Sequence, residues 1–398
     1  MKKRKLADFL TIMGFFSFLT LALMLTLIRP KATWSYYENR GLKAWITPTV
    51  SSVLDDSYRA DMERMLQEHA VGRNILLKTG TWTDLYLLHR PVVNQVVPTE
   101  DLLLHWKAYA VPNADTIRTQ AEEMGRRLSD LRDVVEAEGG EFLYVAVPGQ
   151  YSYFEEEHPP YLNNCAQLTE LTLGAFEEAL AEKDIRWLDM GEVFEELGNP
   201  RECYSPTDYH YTMAGAYETY RAILAALNEN REEPLFVLGE EERVVETLPN
   251  PYLGSRGRKV FGLWDCGETT EVIYSREEIP FTRFDNGAEV AASVYALPGT
   301  GEEQIAYSIY MGGDVAETVI DTGREELPSV LIYGDSFTNP VECLMYLSCG
   351  EMRSVDLRHY REMSLADYIK LHKPDIVICI RDYEVLLGTD FNGNPFAQ

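Results

Sequence analysis

The sequence predicts an α/β protein in which a parallel β-sheet is flanked by helices, with a β-rich insertion and an N-terminal transmembrane anchor. Amphipathic helical patterns alternate with short apolar strands over residues 111–232 and again over residues 326–398. This alternation is typical of a parallel sheet covered by helices. Between the two parts, residues 233–325 are rich in Gly, Pro and Thr and in short alternating runs, which indicate antiparallel strands. The apolar segment Phe9–Ile28 precedes all of them.

The composition narrows the class of protein. A chain of 398 residues with 45% hydrophobic and 25% charged residues has the balance of a folded globular protein. Its formal net charge of −28 repels phosphate backbones, so nucleic acid is not expected as a partner. The six cysteines are too few for a disulfide scaffold, and no CxxC pair indicates a zinc ribbon or a redox motif.

The N-terminus predicts the compartment. The basic cluster Lys2–Lys5 precedes Phe9–Ile28, which has twenty residues and no charge. A helix of this length crosses a hydrocarbon core, and its basic end is expected in the cytoplasm. Residues 1–30 are therefore predicted to be a cytoplasmic tip and a single-pass membrane anchor, with an extracytoplasmic body. A cleaved signal peptide is the alternative, although its apolar region is usually shorter and a small-residue cleavage site should follow. Residues 31–110 are predicted to be a stalk leading into the body, with a helical pattern over Ser51–Lys78.

The predicted elements follow from periodicity and from stop signals. The first α/β part is predicted to contain, in order, helix Ala114–Glu138, strand Glu141–Val147, helix Leu168–Lys183, strand Ile185–Leu188 and helix Met213–Leu227. The insertion is predicted to contain strands Glu271–Tyr274 and Glu289–Tyr295. The second α/β part is predicted to contain strand Val330–Tyr333, helix Phe337–Leu347, strand Ser354–Leu357, helix Leu365–His372 and strand Asp375–Ile380.

A serine follows the strand Val330–Tyr333 in the run Gly334-Asp335-Ser336-Phe337, and a helical pattern begins directly after it. The carboxyl end of a parallel strand is where open α/β sheets bind ligands. Free N–H groups at a helix start also favour a developing oxyanion. These features predict that Ser336 is a nucleophile. The simpler alternative is that Asp335 or Ser336 only caps the helix.

A second motif offers a base for this serine. The run 204–212 contains Asp208 and His210 two positions apart on a segment that is expected to be extended, so that both side chains face one side. A serine nucleophile needs an imidazole base, and the imidazole needs a carboxylate to fix its tautomer. The alternative is an ordinary helix start, with Thr212 as the cap and His210 incidental. Among the seven histidines only His359, in the run 356–360, competes for the role of base.

At this point the sequence resembles the DHHW protein family, which is related to the periplasmic alginate O-acetyltransferases of the SGNH-hydrolase superfamily. The resemblance runs from about residue 35 to about residue 387, and its specificity lies in the order of short motifs. The matching pieces are Glu38-Asn39-Arg40, Gly72-Arg73-Asn74, Thr207-Asp208-Tyr209-His210, Gly215-Ala216-Tyr217, Tyr310-Met311-Gly312-Gly313-Asp314, Gly334-Asp335-Ser336-Phe337 and Asp356-Leu357-Arg358-His359-Tyr360.

The resemblance implies an SGNH-hydrolase-like fold and a triad of Ser336 as nucleophile, His210 as base and Asp208 as orienting acid. The serine block comes first in ordinary members of the superfamily, so the order here is that of a permuted version. Two residues differ from the DHHW motif that gives the family its name: Tyr209 replaces the first histidine, and Tyr211 replaces the tryptophan. Tyr211 is expected to keep an aromatic wall for the substrate. No metal or cofactor is expected, since a single imidazole is a poor metal site.

Further residues are candidates for the oxyanion or for substrate binding. The Ser336 backbone N–H is one expected donor, and Gly313, in a Gly-Gly turn, can bring a second N–H close. Asn339, three residues past the serine, can supply an amide, or it can point to solvent. Arg358 is a candidate for binding an acceptor carboxylate or a sugar hydroxyl, with a structural ion pair as the alternative.

Two functions of different classes follow. The resemblance implies an extracytoplasmic serine acyltransferase or esterase that passes an acetyl group to a cell-surface or secreted polysaccharide. It also implies a membrane-bound O-acyltransferase as partner. The alternative is a catalytically degenerate carbohydrate-binding or assembly protein on the same fold, which the tyrosines at 209 and 211 allow. Reaction with a serine-directed fluorophosphonate separates the two, because only the enzyme is labelled at Ser336.

Overall fold

The computed structural model describes residues 2–107, 111–162, 165–198, 200–229 and 231–397. The chain forms two compact units. The first comprises Met1–Asn94 and Gly257–Trp264, and the second comprises Gln95–Arg256 and Asp265–Gln398. The predicted end of the stalk at residue 110 lies outside the described residues, and the other predicted boundaries, at 30, 232 and 325, stay predictions.

The first unit begins with a long apolar helix. Within α1, Leu6–Ile28 is long enough and apolar enough to cross a membrane. Only 6% of its most apolar 18-residue stretch is buried inside the structure. A signal sequence can also meet these criteria of length and composition, so this helix does not distinguish an anchor from a signal sequence. The further elements of this unit are the paired strands β1 and β2 and three short helices. Their bounds are α1 (Lys2–Ile28), β1 (Trp34–Ser35), β2 (Arg40–Gly41), α2 (Val50–Leu54), α3 (Ser57–His69) and α4 (Arg73–Trp82).

The helical pattern predicted over Ser51–Lys78 is broken at two places. Asp56 and Gly72 adopt left-handed backbone conformations, with φ of 65° and 76°, immediately before α3 and α4. Aspartate and glycine tolerate this conformation better than most residues do, so the chain turns there and a new helix begins. Periodicity alone does not show such a break, because the apolar spacing continues on both sides of it.

Two of the family-like motifs meet in the first unit. Glu38 accepts hydrogen bonds from Arg40 at 3.1 Å and from Arg73 at 2.8 Å and 3.1 Å. Between them in sequence, Asn39 accepts a hydrogen bond from Arg258 at 3.0 Å. These charge-assisted contacts connect segments that are far apart in sequence, which gives both motifs a structural role.

The second unit is built on an eight-stranded sheet with the order β10-β9-β11-β13-β12-β14-β5-β6. The five strands from β13 to β6 are parallel, and β11, β9 and β10 extend the sheet in antiparallel fashion at the β13 edge. Two separate antiparallel strand pairs, β3–β4 and β7–β8, complete the strands of this unit. The bounds are β3 (Val96–Pro98), β4 (Leu103–His105), β5 (Glu141–Val147), β6 (Trp187–Asp189), β7 (Arg243–Thr247), β8 (Glu271–Ser275), β9 (Thr282–Asp285), β10 (Ala288–Val290), β11 (Glu317–Asp321), β12 (Ser329–Gly334), β13 (Glu351–Val355) and β14 (Ile376–Asp382).

Helices cover this sheet, as the sequence predicts. The helices of the second unit are α5 (Ala114–Ala137), α6 (Gln150–Tyr153), α7 (Ala166–Glu182), α8 (Met190–Glu196), α9 (Met213–Asn228), α11 (Thr338–Met345) and α12 (Leu365–His372). The short helix α10 (Ser255–Lys259) begins in the second unit and ends in the first. One core joins α5, α7 and α12 to alternate residues of β5, β12 and β14, such as Tyr144, Tyr333 and Cys379. Alternate strand residues point to the same face, so the intervening residues face the other side of the sheet.

The predicted α/β class, with a mostly parallel sheet and an antiparallel addition, is confirmed, and the differences are local. The strand predicted at Ser354–Leu357 begins earlier, at Glu351, where the Glu351 carboxylate and Arg353 pair at 2.7 Å. It ends before Asp356, because that carboxylate accepts the backbone N–H of Arg358 at 2.9 Å and so forms a turn. The strand predicted over Glu289–Tyr295 is shorter and ends at Val290.

Candidate active site

The turn after β12 positions the serine. A Cβ atom on Gly334 would lie 1.9 Å from the Ile380 carbonyl oxygen, so only glycine allows β12 and β14 to approach this closely. The Asp335 carboxylate then accepts the backbone N–H of Asp382 at 2.8 Å, which fixes the turn against the end of β14. Ser336 therefore lies at the carboxyl end of the parallel strands, directly before α11, and is 7% exposed.

A braced loop before α9 positions the histidine. Tyr204 and Tyr211 pair in an isolated antiparallel bridge, which brings the two ends of the loop together. At its exit, Thr212 caps α9 by accepting the backbone N–H of Gly215 at 3.3 Å. From the end of β5, Gln150 donates to the Ser205 carbonyl at 2.6 Å. The capping role that the sequence suggested for Thr212 is thus present together with an ordered loop around His210.

The structure brings Ser336, His210 and Asp208 into one hydrogen-bonded row. His210 Nε2 lies 2.7 Å from Ser336 Oγ, and His210 Nδ1 lies 2.7 Å from Asp208 Oδ1. The carboxylate can only accept, so Nδ1 carries the proton and Nε2 is left to accept from the serine hydroxyl. Asp208 is 1% exposed and His210 is 4% exposed, so the row is shielded from bulk water.

The Asp208 carboxylate is held by backbone donors as well. Its Oδ2 accepts the Ser255 N–H at 2.6 Å, and its Oδ1 accepts the Tyr209 N–H at 2.7 Å. Burial alone would favour the neutral acid. The hydrogen bond and charge of His210, the Ser255 N–H and the positive charge of Arg256 outweigh burial and hold the pKa of Asp208 well below its usual range. The carboxylate is therefore ionised at neutral pH, as a residue that orients an imidazole must be.

A partly buried acid that the sequence analysis missed stabilises this loop. Glu268 accepts hydrogen bonds from the hydroxyls of Ser205 and Thr207. Ser205 Oγ in turn accepts the Asp208 N–H at 2.9 Å, and Thr207 Oγ1 accepts the Gly254 N–H at 3.0 Å. Burial raises the pKa of Glu268 to about 7. Glu268 lies in the insertion, far from Asp208 in sequence, and no sequence signal indicates that the two segments meet.

Two tyrosines contact the serine and the histidine. The Tyr307 ring stacks on the His210 imidazole, with centroids 3.6 Å apart and an angle of 5° between the planes, and its hydroxyl donates to the Ser336 carbonyl at 2.9 Å. The Tyr209 ring lies 3.7 Å from the imidazole, and the Tyr209 hydroxyl lies 3.2 Å from Ser336 Oγ. Tyr307 belongs to no motif in the sequence analysis. The sequence analysis noted Tyr209 because it replaces the first histidine of the DHHW motif, and assigned it no contact with the serine.

Two of the other predicted residues are held by contacts of their own. Tyr211 is 1% exposed and its hydroxyl donates to the Phe337 carbonyl, so its ring packs against the serine turn. It also lines a cavity together with Tyr307 and Tyr310, and its role as a wall for a substrate stays a prediction. The Gly313 N–H donates to the Tyr310 carbonyl at 3.0 Å. That N–H is engaged within its own turn, which corrects the expectation that it points at an oxyanion.

The two remaining candidates belong to a charged network. Asn339 donates its amide to Asp314 at 3.1 Å, and Arg358 pairs with Asp314 at 3.0 Å and with Asp356 at 2.7 Å. For Arg358 the structure thus shows the ion-pair alternative. Ligand atoms of Asp314, Asp356 and His359 lie within 4.8 Å of one another, yet the Arg358 guanidinium already binds both carboxylates, so a cation would have to displace it.

The fold and the arrangement of the site define the class of protein. A mostly parallel sheet flanked by helices, with a Gly-Asp-Ser turn at the carboxyl end of a strand, is an SGNH-like α/β fold. Residues 96–258 match the family described as SGNH hydrolase-like domain, acetyltransferase AlgX. The predicted resemblance to the DHHW proteins and the related acetyltransferases is confirmed by this match and by the structural comparisons.

Solved structures share this fold at low sequence identity. The structure of Bacillus cereus PatB1 with a sulfonyl adduct is 18% identical, with a TM-score of 0.62, and the alignment covers 76% of this chain and 97% of that one. A second structure of the same protein is 20% identical, with a TM-score of 0.62 and coverages of 73% and 96%. A DHHW family protein from Eubacterium siraeum is 18% identical, with a TM-score of 0.56 and coverages of 77% and 97%. No curated protein matches the sequence at a significant level.

Proposed function

We propose that the protein is an extracytoplasmic, membrane-anchored serine acyltransferase or esterase that acetylates hydroxyl groups of a cell-surface or secreted polysaccharide. The observation that carries the proposal is the hydrogen-bonded row from Asp208 through His210 to Ser336, with both distances at 2.7 Å. The matched family, an SGNH-like acetyltransferase family, supports the choice of an acetyl group. The low pKa of the Asp208 carboxyl supports its role as the ionised partner of the imidazole.

In the acylation step, Ser336 Oγ attacks the carbonyl carbon of an acetyl ester while His210 Nε2 takes the hydroxyl proton. Asp208 keeps the imidazole in the required tautomer and stabilises the imidazolium that forms. The tetrahedral intermediate collapses when His210 returns the proton to the leaving alcohol. The products of this step are an acetylated Ser336 and a free alcohol, and the imidazole is neutral again.

In the second step the acetyl group leaves Ser336. A hydroxyl of the acceptor gives its proton to His210 Nε2 and attacks the acetyl carbonyl, and the proton then returns to Ser336 Oγ. A sugar hydroxyl as acceptor makes the protein a transferase, and water as acceptor makes it an esterase.

The location and the partner follow from the N-terminal helix and from the family resemblance. An apolar helix over Leu6–Ile28 supports attachment of the body to the outer face of a membrane. An enzyme fixed there would lie beside a membrane-bound O-acyltransferase that exports acetyl groups, which the resemblance implies as partner. The acceptor would then be a polysaccharide on the same side of the membrane.

Labelling and turnover together test the proposal. PatB1 was solved with a sulfonyl adduct, and we expect an aryl sulfonyl fluoride or a fluorophosphonate to modify Ser336 in this protein. Ser336→Ala and His210→Ala should each lose nearly all labelling and nearly all hydrolysis of 4-nitrophenyl acetate. Ser329→Ala, at the other end of the same strand, is the matched control and should behave as the wild type.

Mass spectrometry of the labelled peptide decides the outcome. Modification at residue 336 that disappears in His210→Ala supports the enzyme. A folded wild type that is neither labelled nor active contradicts the proposal and favours the carbohydrate-binding alternative.

A further inference from the structure

A second group contacts the proposed nucleophile besides His210. The Tyr209 hydroxyl lies 3.2 Å from Ser336 Oγ, and His210 Nε2 lies 2.7 Å from the same oxygen. A serine hydroxyl has one proton and two acceptor lone pairs. Because that proton is directed to Nε2, Ser336 Oγ is an acceptor toward Tyr209, and the phenol is the donor. Tyr209 therefore directs an O–H bond at the atom where the reaction begins.

The other side-chain and glycine donors considered for an oxyanion have partners of their own. The Gly313 N–H donates to the Tyr310 carbonyl, and the Asn339 amide donates one of its two N–H bonds to Asp314. The Ser336 backbone N–H makes no hydrogen bond within the described part of the chain, so it remains available. The oxyanion formed from an acetyl ester usually requires at least two hydrogen-bond donors, so a second donor is needed besides the Ser336 N–H.

The Tyr209 hydroxyl is well positioned to be this second donor. In the tetrahedral intermediate the oxyanion is bonded to the same carbon as Ser336 Oγ, so the two oxygens are separated by only two bonds. A donor 3.2 Å from Oγ before the reaction needs only a small movement to reach the oxyanion afterwards. The Tyr209 ring is fixed by its contact with the His210 imidazole, 3.7 Å away between centroids, and by Phe337, 6.0 Å away.

A buried cation lies over the same ring. The Arg256 guanidinium carbon is 5.2 Å from the centroid of Tyr209, and Arg256 is 8% exposed. Within the described residues its Nε atom has no hydrogen-bond partner. A desolvated positive charge on the ring face draws electron density away from the phenol, which makes its O–H a stronger hydrogen-bond donor to an anion. Burial together with the Asp208, Asp335 and Asp382 carboxylates raises the pKa of Tyr209, which keeps the phenol protonated.

We propose that the Tyr209 hydroxyl is a catalytic hydrogen-bond donor that stabilises the oxyanion together with the Ser336 N–H, with Arg256 as a positioning residue for the ring. The phenol keeps its proton throughout, so no bond to Tyr209 forms or breaks. This inference rests on the proposed role of Ser336. The inference also assigns a chemical function to Tyr209, a position at which this chain differs from the DHHW motif.

Steady-state kinetics of Tyr209→Phe test the inference. Loss of one oxyanion donor usually lowers kcat by about 10²–10³-fold, and we expect a loss of this size with 4-nitrophenyl acetate. Both kcat and kcat/KM should fall by the same factor, because the interaction is made in the transition state. Tyr217→Phe is the matched control, since Tyr217 is fully buried and its hydroxyl donates to the Leu238 carbonyl. That control should keep the wild-type kcat.

A transition-state analogue separates a catalytic donor from a structural one. Phenylboronic acid forms a tetrahedral adduct with a reactive serine, and its inhibition constant should rise in Tyr209→Phe by about the same factor by which kcat falls. Tyr209→His restores an N–H donor at this position and should recover at least tenfold of the loss. It also provides the test if the phenylalanine variant does not fold.

The possible failures are distinguishable. A folded Tyr209→Phe variant with kcat within threefold of the wild type overturns this inference, while the loss of activity in Ser336→Ala leaves the proposed function standing. Equal kcat values for folded phenylalanine and histidine variants also overturn it, because a donor would then make no difference. A wild type without labelling or turnover overturns both.

Discussion

Replacing Asp208 with asparagine should slow the proposed reaction by about three orders of magnitude without unfolding the protein. The carboxylate accepts four hydrogen bonds. Oδ1 receives the His210 Nδ1–H at 2.7 Å, the Tyr209 N–H at 2.7 Å and the His210 N–H at 3.3 Å, whereas Oδ2 receives the Ser255 N–H at 2.6 Å. Every neighbour is a donor, and an asparagine amide can satisfy donors only on its oxygen side.

The two orientations of the new side chain have different consequences. With its oxygen toward His210, asparagine keeps the imidazole tautomer and brings its NH2 group against the single N–H of Ser255. With its NH2 group toward His210, it meets two backbone donors and also forces the proton onto Nε2, where the imidazole can no longer accept from Ser336. The first orientation leaves fewer unsatisfied donors, so we expect it to be the one adopted.

The size of the loss then follows from the missing charge. In the transition state the imidazole becomes positive, and a carboxylate about 4 Å from that charge contributes about 4 kcal/mol at an effective dielectric constant of 20. This energy corresponds to a factor of about 10³ in rate. The wrong tautomer would instead cost about 10⁴. A loss of 10³ that leaves KM unchanged therefore indicates that Asp208 acts mainly through its charge.

Hydrolysis of 4-nitrophenyl acetate at pH 7, with thermal melting to verify folding, measures this effect. Asp375→Asn is the matched control, because that exposed carboxylate accepts the backbone N–H and the hydroxyl of Ser329, each at 2.8 Å, and takes no part in the row from Asp208 through His210 to Ser336. Adding Asp208→Asn to His210→Ala should cause no further loss, since the two residues act as one unit. A loss below tenfold in a folded variant, or additive losses in the double variant, would refute the reasoning.

Two further predictions concern stability and location. Burial raises the pKa of Asp382 to about 8 and those of Glu342 and Glu268 to about 7, whereas carboxyls in the unfolded chain ionise near pH 4. The folded state thus binds more protons, and its free energy of unfolding should fall as pH rises from about 5 to 8, by up to roughly 1.4 kcal/mol per pH unit for each group. Urea unfolding at several pH values measures this slope; Glu342→Gln should reduce it, and a flat profile would contradict it. Separately, protease added to intact cells should digest the body beyond residue 30 while the chain sediments with membranes, and full protection of the body would rule out an extracytoplasmic location.

The regular elements could be predicted because local signals agree with their packing. Helix α12, predicted and observed at Leu365–His372, is capped by Ser364, which accepts the Asp367 N–H at 3.1 Å, and it ends at Lys373 in a left-handed conformation. The parallel strands are continuous apolar runs because both of their faces are covered. Where polar residues enter a strand, as at Glu351 and Arg353, the prediction shifted by several residues.

The partners of the antiparallel strands could not be predicted. Strand β9 joins the main sheet through β11, and Arg283 on it is 6% exposed. Its guanidinium pairs with Asp285 at 2.9 Å and donates to the Met311 carbonyl at 2.7 Å. A buried arginine is tolerated only when such partners exist. The sequence shows an arginine in a short polar run, which by itself indicates an exposed strand.

The candidate site also contains some residues that the sequence could predict and others that it could not, and the reason is chemical. The sequence predicted that Ser336, His210 and Asp208 lie together, because a nucleophile, a base and an orienting acid must each be a specific residue type and few residues of the chain qualify. The structure brings the three side chains into hydrogen-bond contact. A hydrogen-bond donor for an oxyanion has no such signature, since almost every residue carries an N–H. Such a donor is available to an oxyanion only when no other acceptor engages it. The Gly313 N–H fails this condition because it donates to the Tyr310 carbonyl, and the Asn339 amide already gives one of its two N–H bonds to Asp314. The same condition selects Tyr209, one of 24 tyrosines, because its hydroxyl is directed at Ser336 Oγ.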